Sequence, residues 1–119
     1  MLIRQSWRRI FLYRQACDLR RSFDRLSGMV REQLEQDPLS GDLFVFINRR
    51  RTMLKALYWD VDGYALWQKR LERGRFPLPS GEHSQLERLE LMHVLEGVRV
   101  NGIKRLPRYQ QPAQAIELS

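Results

Sequence analysis

A chain of 119 residues is one domain on length and buries enough of its surface to hold a core without staples. Its single cysteine, Cys17, excludes an internal disulfide framework and fits a reducing cytoplasm; no activating group is clearly placed beside it, so a structural thiol is the plainer reading. No stretch approaches the ~18 apolar residues of a membrane helix, and the first residues lack the apolar core of a signal peptide, so the expected protein is soluble and cytoplasmic, with no membrane partner.

Residues 1–9 are basic, with Trp7 as their hydrophobic anchor, and residues 10–13 (IFLY) read as a strand. Asp18 is placed to cap a helix that follows it. Leu19, Phe23, Leu26, Val30 and Leu34 recur at steps of three and four, which predicts a helix over about 19–36 with one apolar face and Gly28 as a weak point. Its early turns carry Arg20, Arg21 and Arg25 and its late turns acids, against the preference of the helix dipole, so these arginines serve a ligand, an ion-pair partner or simply the solvated face. Pro38 ends the helix and Gly41 leads into the next element.

At Pro38 the apolar period changes from about 3.6 to about 2. Five consecutive apolar residues, Leu43 to Ile47, predict a strand over 43–48 that is covered on both faces. Arg49-Arg50-Arg51 form a hydrophilic turn before a strand over about 53–59. Asp60-Val61-Asp62-Gly63 is a hairpin signal, and a third strand runs over about 64–71. A two-residue Asp62-Gly63 turn pairs Lys55 with Arg70, Trp59 with Leu66, Ala56 with Lys69 and Tyr58 with Trp67; a longer loop from Asp60 shifts that register, and the sequence leaves both open. Residues 76–79 (FPLP) are extended, 80–83 connect, and Leu86, Leu89, Met92, Leu95 and Val98 mark a second amphipathic helix over about 84–96, with Gly97 as C-cap. Residues 100–106 fit a short strand, and 109–119 form a loosely ordered tail to a domain of residues 1–108.

The fold expected is therefore α+β: a small antiparallel sheet of about four strands, a long helix packed on one face, and a C-terminal helix. Phe23, Leu26, Val30, Phe44, Phe46, Leu57 and Trp59 are its expected core.

The charges carry the functional reading. Net charge is +7, the isoelectric point is near 10.3, and eighteen of the 21 basic residues are arginine, whose planar fork suits phosphate. In either hairpin register Lys55, Lys69, Arg70, Arg73 and Arg75 gather at the open end, and Arg49, Arg50 and Arg51 lead into it. Like charges side by side repel, so the cluster makes sense around something anionic. Some of these residues have structural alternatives: Glu72 can pair with Arg70 or Arg75, and Lys55 with Asp42. A metal-dependent nuclease would need Asp60, Asp62 and Glu72 together with Lys55 or Lys69. The two aspartates sit at the hairpin tip and Glu72 beyond its other end, so catalysis is not expected, and neither a cofactor nor a metal is implied. His83 and His93 are too far apart for a one-helix metal site.

The run LFVFINRRR, then LKALYWDVDGYALWQKRLERGRFPLP, resembles the small TnpB accessory proteins of the IS 66 family of bacterial insertion sequences. Phe44 and Phe46 match the family's F-x-F strand; Leu54, Lys55, Leu57, Trp59 and Asp60 match L-K-x-L-x-W-D; Gly63 matches its turn; and Lys69, Arg70, Leu71, Glu72, Gly74, Phe76 and Pro79 match K-R-L-E-x-G-x-F-x-x-P. The match covers about residues 10–98, and departs from the family's L-L-E-G at Met92-His93-Val94-Leu95-Glu96-Gly97. The resemblance implies a non-catalytic accessory role in transposition, beside a separate transposase that holds the catalytic carboxylates. Two readings follow. In one, Arg20, Arg21, Arg49, Arg50, Arg51, Lys55, Lys69, Arg70, Arg73 and Arg75 grip DNA. In the other, the aromatics Trp59, Trp67, Tyr64 and Phe76 form the seam of a homodimer or dock on the transposase without DNA contact.

Overall fold

In a computed structural model, which describes residues 7–20 and 22–97, a five-stranded sheet carries a helix on each face. The elements in chain order are β1 (Ile10–Leu12), α1 (Phe23–Glu32), β2 (Leu43–Ile47), β3 (Met53–Asp60), β4 (Gly63–Arg70), β5 (Gln85–Leu86) and α2 (Arg88–Glu96). Their order across the sheet is β4-β3-β2-β1-β5.

β2 sits at the centre, and all five of its residues are buried, as its unbroken apolar run requires. Its alternate side chains feed two cores. Phe44 and Phe46 join Phe11 and Leu57 beneath Leu26 and Val30 of α1. Leu43, Val45 and Ile47 join Ile10, Leu12, Leu54 and Ala56 beneath Leu91, Val94 and Leu95 of α2, with Phe76 and Trp7 closing the layer.

The architecture is α+β as expected, but the sheet is mixed rather than antiparallel. β1 runs parallel to β2, with Ile10 opposite Leu43 and Leu12 opposite Val45. The long connection through α1 supplies the crossover that parallel neighbours need. The fifth strand was not expected. Gln85 and Leu86 lie antiparallel on β1, and Leu12 N–H donates to the Ser84 carbonyl. These residues supply the bonding partners that β1 would otherwise lack on its outer side. α2 consequently starts at Arg88, where a capping box forms between Glu87 and Glu90. Its buried face is Leu91, Val94 and Leu95, whereas Leu89, expected in the apolar stripe, is 57% exposed.

α1 is shorter than the periodicity predicts. Leu19 is buried, but from a loop. Asp18 does not cap the helix: its Oδ1 accepts the Arg20 backbone N–H, and its carboxylate accepts two bonds from the Arg20 guanidinium. A short aspartate side chain closing its own local turn competes with helix initiation and wins here. The helix starts after Ser22, leaving Phe23 in its first turn at 44% exposure rather than in the core. At the other end Glu35 takes a φ of 54°, which ends the helix ahead of Pro38. Trp59, also expected in the core, is half-buried and meets Tyr64 edge-on at 5.2 Å.

The hairpin settles the register question. Asp60 pairs with Gly63, so Val61 and Asp62 form the turn, and Lys55 faces Gln68, Ala56 faces Trp67, Leu57 faces Leu66 and Trp59 faces Tyr64. This is two residues away from the Asp62-Gly63 register, so every side chain keeps the face predicted for it while its partner changes. Packing decides the matter: the large Trp67 lies opposite the small Ala56, against the α2-side core. The positive φ falls on Val61, at 59°, and not on Gly63.

The expected strand at 100–106 and the tail at 109–119 lie outside the described residues, as does Arg21.

Candidate nucleic-acid interface

The arginine turn is held by its neighbour Asn48. Asn48 Oδ1 accepts the backbone N–H groups of Thr52 (2.9 Å) and Met53 (3.1 Å), its Nδ2 donates to Thr52 Oγ1 (3.3 Å), and its carbonyl accepts Arg51 N–H (3.0 Å). Arg51 takes a φ of 58° to complete the turn. The result is a side-chain clasp that leaves Arg49 and Arg50 exposed. Sequence reasoning missed Asn48, although an asparagine four residues before a threonine at a turn is a readable signal.

Two other segments are tied to this turn by backbone bonds. Leu71 N–H donates to the Thr52 carbonyl at 2.7 Å, and Phe76 N–H to the Arg51 carbonyl at 2.6 Å. The fully buried Phe76 ring anchors this segment in the α2-side core. The chain between them, with Arg73 and Arg75 both exposed, is thereby held beside Arg49–Arg51. On the other side Cys17 N–H donates to the Ile47 carbonyl at 3.1 Å, bringing the loop that follows β1 against the same sheet end. Between this loop and the arginine turn lies an open cleft of about 670 Å³, with Arg20, Arg49 and Arg50 on its walls and Met53, Leu19 and Cys17 among its apolar lining. Arg20 is bound to Asp18 in bidentate fashion, and the hydrogen bonds and charge of that carboxylate raise its already high pKa.

The predicted cations thus divide. Arg20, Arg49, Arg50, Arg51, Arg73 and Arg75 share one end of the sheet. Arg70 is at the same end, on the α1 face opposite Met53, but shares its guanidinium with Glu72 at 3.0 and 3.2 Å. Lys55 is further along the same face, half-buried between Phe46 and Gln68. Lys69 is on the opposite face, its ammonium 3.4 Å from the carbonyl of Leu95 in the last turn of α2. The Lys55–Asp42 pair does not form; Asp42 is held by Arg9 instead. Asp60 and Asp62 are at the hairpin tip, away from Glu72, and no described group of three or more His, Cys, Asp or Glu residues could hold a metal ion. No helix among the described residues is long and apolar enough to cross a membrane.

Comparison with known proteins decides the family. The model of the IS66 Orf2-like proteins, the TnpB family of that element, matches residues 8–105. The chain belongs to this family. Two proteins of Sinorhizobium fredii are similar to it, both carrying the description "uncharacterized": y4hO, 37% identical over 92 residues (76% of this chain and 80% of that one), and y4jC, 35% identical over 101 residues (83% and 86%). No solved structure matches significantly. Membership of the IS66 Orf2-like family suggests an accessory role in transposition. The family match spans the arginine turn, the hairpin and the segment up to Pro79, the same stretch that builds the basic sheet end.

Proposed function

We propose that this chain is a non-catalytic accessory protein of DNA transposition that holds DNA by its phosphates and acts with the transposase of the same element. The observation that carries this reading is the convergence of Arg49, Arg50 and Arg51 with Arg73 and Arg75, imposed by the bonds of Leu71 and Phe76 to the carbonyls of Thr52 and Arg51. The fold thus brings like charges together, four of the five (Arg49, Arg50, Arg73 and Arg75) on exposed side chains, which a phosphate backbone would neutralise. Arginine's donor fork and the exposure of these residues suit phosphate contact rather than base readout, so the expected affinity alone is weak, with a Kd of roughly 10⁻⁴–10⁻⁶ M at physiological salt. Sequence selection would then rest with the transposase.

The test is a mobility shift on element-end and random duplexes across a salt series, with and without transposase. Binding should fall linearly in log salt, with little preference between duplexes for the protein alone. Salt-insensitive association with the transposase and no DNA binding under any condition would favour a protein-docking role instead.

A further inference from the structure

β4 is an edge of the sheet: β3 takes one side, and among the described residues no strand takes the other. The ladder shows which groups face outward. Gly63 closes the hairpin against Asp60, and Leu71 N–H bonds to Thr52, so the odd-numbered positions carry the bonds to β3. The backbone N–H and C=O groups of Tyr64, Leu66, Gln68 and Arg70 therefore point away from it. Natural edges of this length are commonly interrupted by a bulge, a proline or spread charges. β4 has eight regular residues, no proline, and half-buried Tyr64, Leu66 and Trp67 along its middle. Its charges are segregated, with Asp62 beside one end and Lys69 and Arg70 at the other, where the exposed Arg70–Glu72 pair would have to open or share its guanidinium with an incoming carboxylate.

That polarity makes the edge complementary to itself. We propose that β4 pairs antiparallel with β4 of a second copy about a twofold axis at Leu66, forming one continuous sheet with five strands from each copy. Outward-facing groups must meet outward-facing groups, which restricts the registers. Centring the pair on Leu66 sets Asp62 across from Arg70 and Ala65 across from Trp67, each twice. Centring it on Trp67 sets Asp62 against Glu72 and one indole on the other. Opposite charges and a small residue beside a large one select the first. The axis of such an antiparallel pair is perpendicular to the sheet, so both arginine clefts open on equivalent sides of the assembly. The inference stands independently of DNA binding.

Edge pairing alone buries a small interface, so the dimer should be reversible, with a Kd of about 1–100 μM. Sedimentation equilibrium of the full chain across that range tests it. Gln68→Pro removes one outward N–H without touching the bonds to β3, and Asp62→Arg sets like charges across the axis twice. Each should weaken the dimer by about tenfold or more while circular dichroism and the melting curve show a folded chain. Adding Arg70→Asp to Asp62→Arg exchanges the charges and should restore association. A full chain that stays monomeric throughout overturns the proposal. So does a dimer indifferent to both single variants, or a charge exchange that restores nothing.

Discussion

Arg9 grips Asp42 at three points: its backbone N–H donates to Oδ1 at 3.2 Å, its Nε donates to Oδ2 at 3.0 Å, and its Nη2 lies 2.9 Å from the same oxygen. The two residues precede β1 and β2, and Leu43 N–H returns a bond to the Arg9 carbonyl. The carboxylate is nearly inaccessible, with Asp42 3% exposed, while half of the arginine side chain reaches water. The pair locks the register of the one parallel junction in the sheet.

Its two halves should respond differently to removal. Arg9→Ala leaves a buried carboxylate with little more than a backbone donor and should cost about 2–3 kcal/mol. Asp42→Ala leaves an arginine that can turn to solvent and should cost about 1–2 kcal/mol. Urea unfolding of both singles and the double variant checks this: the double should cost less than the sum, with a coupling of about 1 kcal/mol or more. Strict additivity would show that the contact contributes nothing of its own.

A second test uses pH. Glu90 Oε1 accepts the Glu87 backbone N–H at 2.9 Å, and Oε2 lies 3.0 Å from His83 Nε2. The backbone bond lowers the Glu90 pKa below its ordinary 4.5; burial opposes this, and the hydrogen bond and charge of His83, with the charge of Arg14, assist it. A carboxylate whose folded pKa is depressed contributes stability that is fully present above its unfolded pKa and lost as pH falls through the folded value. The melting temperature should therefore drop on acidification below about pH 4.5, and Glu90→Gln, which keeps an acceptor for the cap, should flatten that slope while costing stability at pH 7. Parallel slopes for the two proteins would assign the acid loss to other carboxylates.

The hairpin tip offers a stabilising change. Asp62 N–H bonds to the Asp60 carbonyl at 2.6 Å around Val61, whose φ is 59° and which is 89% exposed. A β-branched residue at positive φ is strained and here gains no burial in return. Val61→Gly should raise stability by about 0.5–1 kcal/mol, the relief exceeding glycine's extra chain entropy. A lower unfolding midpoint for the variant would contradict the strained turn.

Much of this was legible from the residues, for reasons that can be named. The five-residue apolar run of β2 can be satisfied only by cover on both faces, and α1 and α2 provide it. The period of two in β3 and β4 fixed which side chains share a face even though the pairing came out two residues away. What the sequence hid was non-local. The cover over β1 comes from Gln85 and Leu86, more than seventy residues later, which local periodicity read as helix. Phe23 matched the apolar step of α1, but Asp18 and Arg20 shape the preceding turn so that the helix begins with Phe23 turned towards solvent. For the site, the gathering of arginines at the open end of the hairpin and the opposite face of Lys69 were readable from the chain's order; the approach of Arg20 through the loop after β1 and the capture of Lys69 by the Leu95 carbonyl of α2 were not.

That division of the cations gives the sharpest functional prediction. Lys69 and Arg50 have the same formal charge and lie in the same matched stretch, but their surroundings differ. The Lys69 ammonium sits on the Leu95 carbonyl near the end of α2, where a cation meets the negative end of the helix dipole. Arg49 and Arg50 stand exposed on the Asn48-clasped turn. Lys69→Met should therefore lower stability by about 0.3–1 kcal/mol and leave the salt dependence of DNA binding nearly unchanged. Replacing Arg49 and Arg50 together with Gln should leave the melting temperature within about a degree or two, because exposed side chains away from core and caps contribute little. The same double variant should make the slope of log affinity against log salt shallower by about 1.8, two phosphate contacts at ~0.9 each. Titrations at four or more salt concentrations on one random duplex, alongside thermal melts, measure both quantities for each variant. If Lys69→Met changes the slope and the Arg49/Arg50 pair does not, DNA lies on the α2 side of the sheet, and the arginine turn is not its contact.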